Sequence, residues 1–113
     1  MSHVLETHFV VRDRLVLTYE RNGWPAAVVT GHEDIQDERG FHVEHVIVFH
    51  AGALRPLLDI GLEEAWSRGY HWVAFTIPRG FPHAAKLTRI ARRLGFRQYG
   101  SLNEFDFYVR YRP

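Results

Sequence analysis

A carboxylate and an imidazole stand two residues apart in Phe41–Phe49, a run with the composition of a long β-strand. Strand alternation sorts this run into two faces, with His42, Glu44 and Val46 on one and Phe41, Val43, His45 and Ile47 on the other. A glutamate partly withdrawn from water beside a histidine is suited to accepting a proton. An ion-paired strand residue explains the same pattern equally well, so both interpretations of Glu44 stay open.

Eight histidines in 113 residues raise the question of a metal site. The closest group in the sequence is His42, His45 and His50. In a regular strand His42 and His45 point to opposite faces and cannot bind one ion together. The chain also has no cysteine and no His-Glu-x-x-His sequence. We therefore predict no metal site.

Basic residues concentrate in one part of the chain. Residues 65–103 contain seven Lys or Arg and no acid, although the net charge of the whole chain is only +1. Lys86, Arg89 and Arg93 repeat at helical spacing, as a stripe that contacts phosphates would. No nucleic-acid motif accompanies them, and the acidic first half would repel a duplex. Nucleic-acid binding is therefore the weakest interpretation, behind a solvated helix face or contact with an anion such as an acidic protein.

The first part of the chain reads as β-structure. We predict strands over residues 3–11, over Leu15–Glu20 and over Trp24–Gly31, with Asn22-Gly23 as a hairpin turn between the last two. The polar segment His32–Gly40 is predicted to be a loop.

Strands and helices alternate in the second part. Phe41–Phe49 is a predicted strand, and apolar residues at helical spacing from Leu54 to Trp66 predict an amphipathic helix that stops at Gly69. A buried strand over Trp72–Ile77 and a helix over Pro82–Leu94, ended by Gly95, follow. Gln98-Tyr99 and Glu104–Tyr111 are predicted strands around a Gly100–Asn103 turn. The predicted class is α/β, with a mixed, mostly antiparallel sheet and two packed helices.

Length and composition predict one domain over residues 1–113. No apolar run approaches the roughly 20 residues of a membrane span, and the first residues lack the pattern of a signal peptide. We expect a cytoplasmic protein with no membrane partner. The compact size would also suit a phage or mobile-element protein.

The order of elements and several residues resemble the GNAT superfamily of N-acetyltransferases. The resemblance rests on a helix that ends at Arg68-Gly69, an apolar strand after it, and a helix that closes on Leu94-Gly95-Phe96. It covers about 100 residues in topology and about 60 in recognisable motif. It implies a sheet with one parallel pair of strands that splay apart, and acetyl-CoA bound between them.

The resemblance assigns the acetyl-CoA site to the central strand and the start of the helix that follows it. Backbone groups of that strand would hold the pantetheine arm, and the loop before the helix would hold the pyrophosphate on backbone N–H groups. The loop departs from the usual pattern, because only Gly52 of its expected small and basic positions is matched. The competing interpretation is that Ala51-Gly52-Ala53 only turns the strand into the helix. The residues carried over are Val46, Ile47, Val48, Phe49, Gly52, Ala53, Leu54 and Arg55.

The resemblance also assigns catalytic roles. It makes Glu44 the general base that removes a proton from the acceptor amine. The tyrosine that usually protonates the leaving thiolate is replaced by Ala91, and the asparagine seven residues earlier by Ala84. His83 is the candidate substitute acid, although a solvated histidine at a helix start is the competing interpretation. Tyr99 and Tyr108 are further candidates, or packing residues.

A last departure concerns the acceptor side. The family places two helices between its first and second strands, and here only Arg12–Arg14 separates them. We therefore expect an open acceptor side that is completed by a protein substrate or by a second subunit in a homodimer. The predicted function is acetyl transfer from acetyl-CoA to an amine, either a small amine or a protein lysine or N-terminus. A non-catalytic interaction or inhibitory module with the same fold is the alternative.

Overall fold

The structure, a computed structural model of the chain, describes residues 2–9, 14–50 and 52–113, and for residues 2–9 only the backbone. The described residues form nine elements in the order β1 Ser2–Phe9, β2 Arg14–Arg21, β3 Trp24–Glu33, β4 Gly40–Val48, α1 Leu54–Ser67, β5 Trp72–Pro78, α2 Ala84–Arg93, β6 Arg97–Leu102 and β7 Phe105–Tyr111. Neither helix in this part of the chain has the length and apolar composition of a membrane span.

All seven strands join one sheet in the order β1-β2-β3-β4-β5-β7-β6. The strands β1 to β4 follow one another as antiparallel neighbours, and β4 with β5 is the parallel pair. The β2–β3 hairpin turns at Asn22-Gly23, where both residues have positive φ, as the Asn-Gly pair predicts. The predicted α/β class with a mixed, mostly antiparallel sheet is confirmed.

Both helices pack on the same face of the sheet. Leu57 of α1 is fully buried there, and Gly61 of α1 approaches Leu17 of β2 closely. On the same face, α2 ends at Arg93 and is followed by Gly95 with positive φ, and the Phe96 ring folds back against Phe75 of β5, at a centroid distance of 4.8 Å. The buried side chains form one continuous core between the sheet and the helices.

The opposite face of the sheet is not covered by a helix in the described residues. Val29 and Gly31 of β3 point to the core, so Thr30 and His32, which alternate with them, point to this second face. We call it the open face. Four residues, 10–13, separate β1 from β2, which is too short for the two helices that the GNAT resemblance expects there.

Several predicted boundaries differ from the structure. The strand β3 continues to Glu33, so the first two residues of the predicted loop His32–Gly40 are paired with Phe41 and His42 of β4. The helix α2 begins at Ala84 and not at Pro82. The β6–β7 turn falls at Asn103-Glu104 and not over Gly100–Asn103, because β6 runs through Gly100 to Leu102. Residues 10 and 11 of the first predicted strand lie outside the described residues.

Candidate active site

The strand β4 contains a β-bulge at Glu44. Thr30 pairs with His45 and the next residue, Gly31, pairs with Val43, so Glu44 has no partner of its own. The predicted alternation therefore holds up to Glu44 and is wrong from His45 onward. Val46 joins Val43 and Phe41 against the core, whereas Glu44 and His45 both lie on the open face.

The bulge coincides with the point where β4 and β5 separate. Their ladder contains three pairs, from Gly40 with Trp72 to His42 with Ala74, and ends before Glu44. Phe49 donates its N–H to Ala26 of β3, and backbone groups alternate in direction along a strand. The N–H and C=O groups of Val46 and Val48 therefore point into the gap towards β5.

A cavity of about 370 Å³ lies at this gap. Leu58 and Leu62 of α1, Leu87 and Ala91 of α2, and Phe75 of β5 line it on the helix side. Thr30, Glu44, His45 and Thr76 line it on the side of the open face. The cavity therefore connects the two faces of the sheet through the gap, and its size is within the usual range for small-ligand sites.

The segment between β4 and α1 brings backbone amides to the start of α1, one turn before Leu58, which lines the cavity. Gly52 has φ +87°, and a side chain added there would meet no atom within 4 Å. The N–H groups of Leu54 and Arg55, in the first turn of α1, have no acceptor within the helix. Ala53 differs, because its N–H donates to the His50 carbonyl at 3.2 Å. Ala51 lies outside the described residues.

Among the side chains assigned to acetyl-CoA, several serve the fold. Ala53 and Leu54 are buried in the protein interior, and Ile47 points to the open face. Phe49 lies just beyond the end of β4 and is 65% exposed. Ala53 and Leu54 therefore offer a ligand only backbone groups, whereas the side chains of Ile47 and Phe49 are exposed.

Arg21 is a cation near this segment that the sequence did not identify. Its guanidinium lies 3.0 Å from Nδ1 of His50, the residue that begins the loop before α1. Arg21 is the last residue of β2, and 28 residues separate it from His50 in the sequence. The sequence alone therefore does not show that the two side chains are close. An arginine next to a strand end carries no sequence signal of its own, so the sheet register was needed to find it.

Glu44 contacts two basic side chains on the open face. Its Oε1 lies 3.3 Å from the guanidinium of Arg14 and 3.4 Å from Nε2 of His32. The neighbouring imidazole is thus His32 of β3, and not His42 as alternation in β4 suggested. The Glu44 side chain remains 25% exposed and lines the cavity, so it is open to the gap.

His42 belongs to a second polar group on the open face. Its Nε2 lies 2.8 Å from Asp34, and its ring meets Trp72 edge-on. Trp72 donates its indole N–H to Asp37 at 3.3 Å. Hydrogen bonds from the side chain and backbone of Arg39 lower the pKa of Asp37 to about 2, with Trp72 adding to the effect. This group fixes the end of the sheet at which β4 and β5 are still paired.

The candidate proton donors differ in burial and in whether they line the cavity. Ala91 lines the cavity, so a methyl group occupies the position that the resemblance gives to the tyrosine. His83 precedes α2, is exposed, packs against Phe81, and is not among the cavity residues.

Tyr108 is buried and stacked on Phe75. Burial, together with Asp34 and Tyr111, raises the pKa of Tyr99, whose ring packs on Phe107.

The bulge also removes the reason given against a metal site. His42 and His45 lie on the same face, because the unpaired Glu44 between Val43 and His45 shifts the alternation by one residue. Within the described residues, however, no three His, Asp or Glu side chains converge closely enough to hold an ion.

Comparisons with known proteins agree on the architecture. Neither a protein-family model nor a curated protein matches the sequence. Among solved structures, the chain is similar to a GNAT-family acetyltransferase from Streptococcus pneumoniae, with 13% identity over 88% of this chain and 67% of that one and a TM-score of 0.69. It is also similar to an IAA acetyltransferase from Bacillus cereus, with 10% identity, a TM-score of 0.78, and coverage of 98% and 99%.

A third similar structure is a Salmonella typhimurium protein solved with its cofactor acetyl-CoA, with 20% identity over 87% of this chain and 64% of that one and a TM-score of 0.71. Identities this low establish the fold and not the activity. The chain therefore has the GNAT fold, in a small form without the two helices between the first two strands.

Proposed function

We propose that the protein is an acetyl-CoA-dependent N-acetyltransferase that moves an acetyl group to an amine. The observation that carries this proposal is the gap between β4 and β5, into which the backbone groups of Val46 and Val48 point and where Val46 lines the cavity. An acyl-pantetheine arm carries amide groups that can pair with such a strand edge, and an apolar cavity suits its methylene chain.

The start of α1 supports a place for the pyrophosphate. The N–H groups of Leu54 and Arg55 and the positive end of the helix dipole favour an anion there. Gly52 allows close approach, and the side chains of Arg55 and Arg21 add positive charge. Acetyl-CoA would supply the activated acyl group, and these residues would bind and orient it.

Glu44 is the proposed general base. It lies at the rim of the gap on the open face, from which an acceptor amine would approach the acyl carbon. Its carboxylate would remove a proton from the ammonium form of the amine, and Arg14 and His32 would hold it in place.

The open face favours a protein acceptor. A small amine needs a concave pocket that buries most of its surface, and no helix covers this face in the described residues. A protein lysine or N-terminus would bring its own surface to the sheet. A second copy of the chain could cover the same face, and the molar mass in solution distinguishes a dimer from a monomer.

A non-catalytic binding module is the second candidate function, and one observation favours it. The side chain of Ala91 offers no proton to a leaving thiolate at the cavity wall. The two functions separate at the first step, the binding of acetyl-CoA.

Titration calorimetry with acetyl-CoA tests the proposal. We expect saturable binding, with loss of affinity at high salt because the pyrophosphate contributes through charge. Absence of binding at ligand concentrations on the order of millimolar would contradict the proposed enzyme and leave the binding module. Mass spectrometry of mixed peptides and small amines after incubation with the protein and acetyl-CoA then identifies the acceptor class.

A further inference from the structure

The bulge places two different titratable side chains at one point of the cavity rim. Glu44 and His45 are consecutive in sequence, yet both reach the open face and both line the cavity. A regular strand would have turned one of them to the core. The extra residue in β4 therefore does more than open the gap, because it also delivers an imidazole beside the carboxylate.

His45 is held by one contact at one ring nitrogen. Its Nδ1 lies 3.1 Å from Oγ1 of Thr30, the residue paired with it across β3 and β4. The contact fits either tautomer, because Nδ1–H can donate to the Thr30 oxygen or the Thr30 hydroxyl can donate to an unprotonated Nδ1. In the first tautomer Nε2 is the unprotonated nitrogen of neutral imidazole. Within the described residues Nε2 of His45 has no hydrogen-bond partner.

Acetyl transfer to an amine requires a proton at sulfur when the C–S bond breaks. Ala91 cannot supply it, and His83 packs on Phe81 of the cavity wall but does not itself line the cavity. The amine nitrogen and the sulfur are bonded to the same carbon during transfer, so one side chain at the rim can reach both. His45 is the imidazole in that position.

We propose that His45 is a proton shuttle that takes a proton from the attacking nitrogen and gives it to the leaving sulfur, with Thr30 as its positioning residue. This inference rests on the proposed acetyl transfer. Glu44 removes the first proton from the ammonium, after which the C–N bond forms and Nε2 of His45 accepts the second. The C–S bond then breaks, its electron pair goes to sulfur, and Nε2 returns the proton to the thiolate.

The protons balance over one turnover. The nitrogen loses two, of which one passes through His45 to sulfur and one leaves through Glu44 to solvent. His45 begins and ends each turnover neutral. The Nδ1–H bond to Thr30 persists throughout and stabilises the imidazolium while it exists.

Hydroxylamine isolates the shuttle step, because it is largely uncharged near neutral pH and needs no prior deprotonation. It is also small enough to reach the gap across an open face. With acetyl-CoA and hydroxylamine, thiol release is followed by a colorimetric thiol reagent. We expect His45→Gln to lower kcat by about 100-fold or more while the KM for acetyl-CoA changes little.

His71→Gln is the matched control. His71 is exposed in the segment before β5, and its recorded hydrogen bonds use only its backbone. It should turn over hydroxylamine as the wild type does. If wild type is active and His45→Gln equals His71→Gln, the shuttle is overturned and acetyl transfer stands. If wild type neither binds acetyl-CoA nor accelerates thiol release, the proposed function itself is overturned.

Nitrogen-15 NMR of the histidine rings gives a readout that does not depend on turnover. We expect neutral His45 to carry its proton on Nδ1, with its signals identified by their loss in His45→Gln. Thr30→Val keeps the branched shape but removes Oγ1, and should shift the proton towards Nε2 and lower kcat with it. A wild-type His45 protonated at Nε2, or a tautomer unchanged in Thr30→Val, would overturn the assignment even in an active protein.

Discussion

Gly52 offers the sharpest test of the candidate phosphate site. Gly52→Glu places a carboxylate at the start of α1, and Gly52→Ala is its matched control. The two variants share one cost, because any side chain at φ +87° is strained by about 1–2 kcal/mol. Neither adds a clash, since no atom lies within 4 Å of the added Cβ. The strain should lower the Tm of each variant by about 5 °C for every kcal/mol that it removes from the free energy of unfolding.

Only the charge separates the variants in binding. At an effective dielectric constant of about 20, a carboxylate about 6 Å from one phosphate charge costs about 3 kcal/mol. This corresponds to a loss of about 100-fold in affinity for acetyl-CoA relative to Gly52→Ala. Added salt should narrow the difference, because screening weakens the repulsion between the two charges.

Calorimetric titration of wild type and both variants with acetyl-CoA, at low and high salt, measures these differences. Dephospho-CoA serves as a second ligand, because it keeps the pyrophosphate and lacks the 3′-phosphate. Gly52→Glu should weaken both ligands alike. Equal affinities for Gly52→Glu and Gly52→Ala would show that the pyrophosphate does not lie at the start of α1.

Three further predictions concern the base and the stability of the sheet. Glu44→Gln should lower turnover of an amine acceptor by about 100-fold or more between pH 6 and 9 with little change in acetyl-CoA affinity, and a wild-type rate across that range would remove Glu44 as the base. Gly40→Ala should destabilise the fold by about 1–3 kcal/mol in urea unfolding, because its Cβ would lie 1.9 Å from the Trp72 ring, and an unchanged midpoint would contradict that packing. Asp37→Asn should make Tm less sensitive to acid. The pKa of Asp37 is about 2 in the folded protein and 3.8 ordinarily, so the ionised carboxylate stabilises the fold above pH 3.8 and this stabilisation is lost as the pH falls from 3.8 to about 2. Parallel Tm curves for wild type and Asp37→Asn below pH 4 would show that folding does not lower the pKa of Asp37.

Much of the fold follows from local patterns in the sequence. The apolar spacing from Leu54 predicts α1, Asn22-Gly23 predicts the first hairpin, and Gly95 with Phe96 predicts how α2 ends. Each of these signals acts within a few residues, where propensity and burial agree. The start of α2 was misplaced by two residues. The last turn was also misplaced, because Gly100 pairs with Phe107 inside β6 and does not end the strand.

The candidate site was less accessible to sequence reasoning, because it depends on pairing. Regular alternation and a bulge fit Phe41–Phe49 equally well, and only the register with β3 decides between them. Two consecutive polar residues, Glu44 and His45, inside an apolar strand are the one local hint of the bulge. The contacts of Thr30 with His45 and of Arg21 with His50 span 15 and 29 positions and leave no pattern in the sequence.

The bulge at Glu44 has a consequence for how this protein can change in evolution. Exchange of one amino acid for another at position 44 alters the chemistry of the rim but leaves the separation of β4 and β5 intact. Deletion of that single codon would restore one-to-one pairing with β3 and favour an unbroken β4–β5 ladder in place of the gap. The gap between β4 and β5 thus depends on the number of residues in β4 as much as on their identity. Substitutions can change the side chains at the gap, whereas loss of one residue can close it.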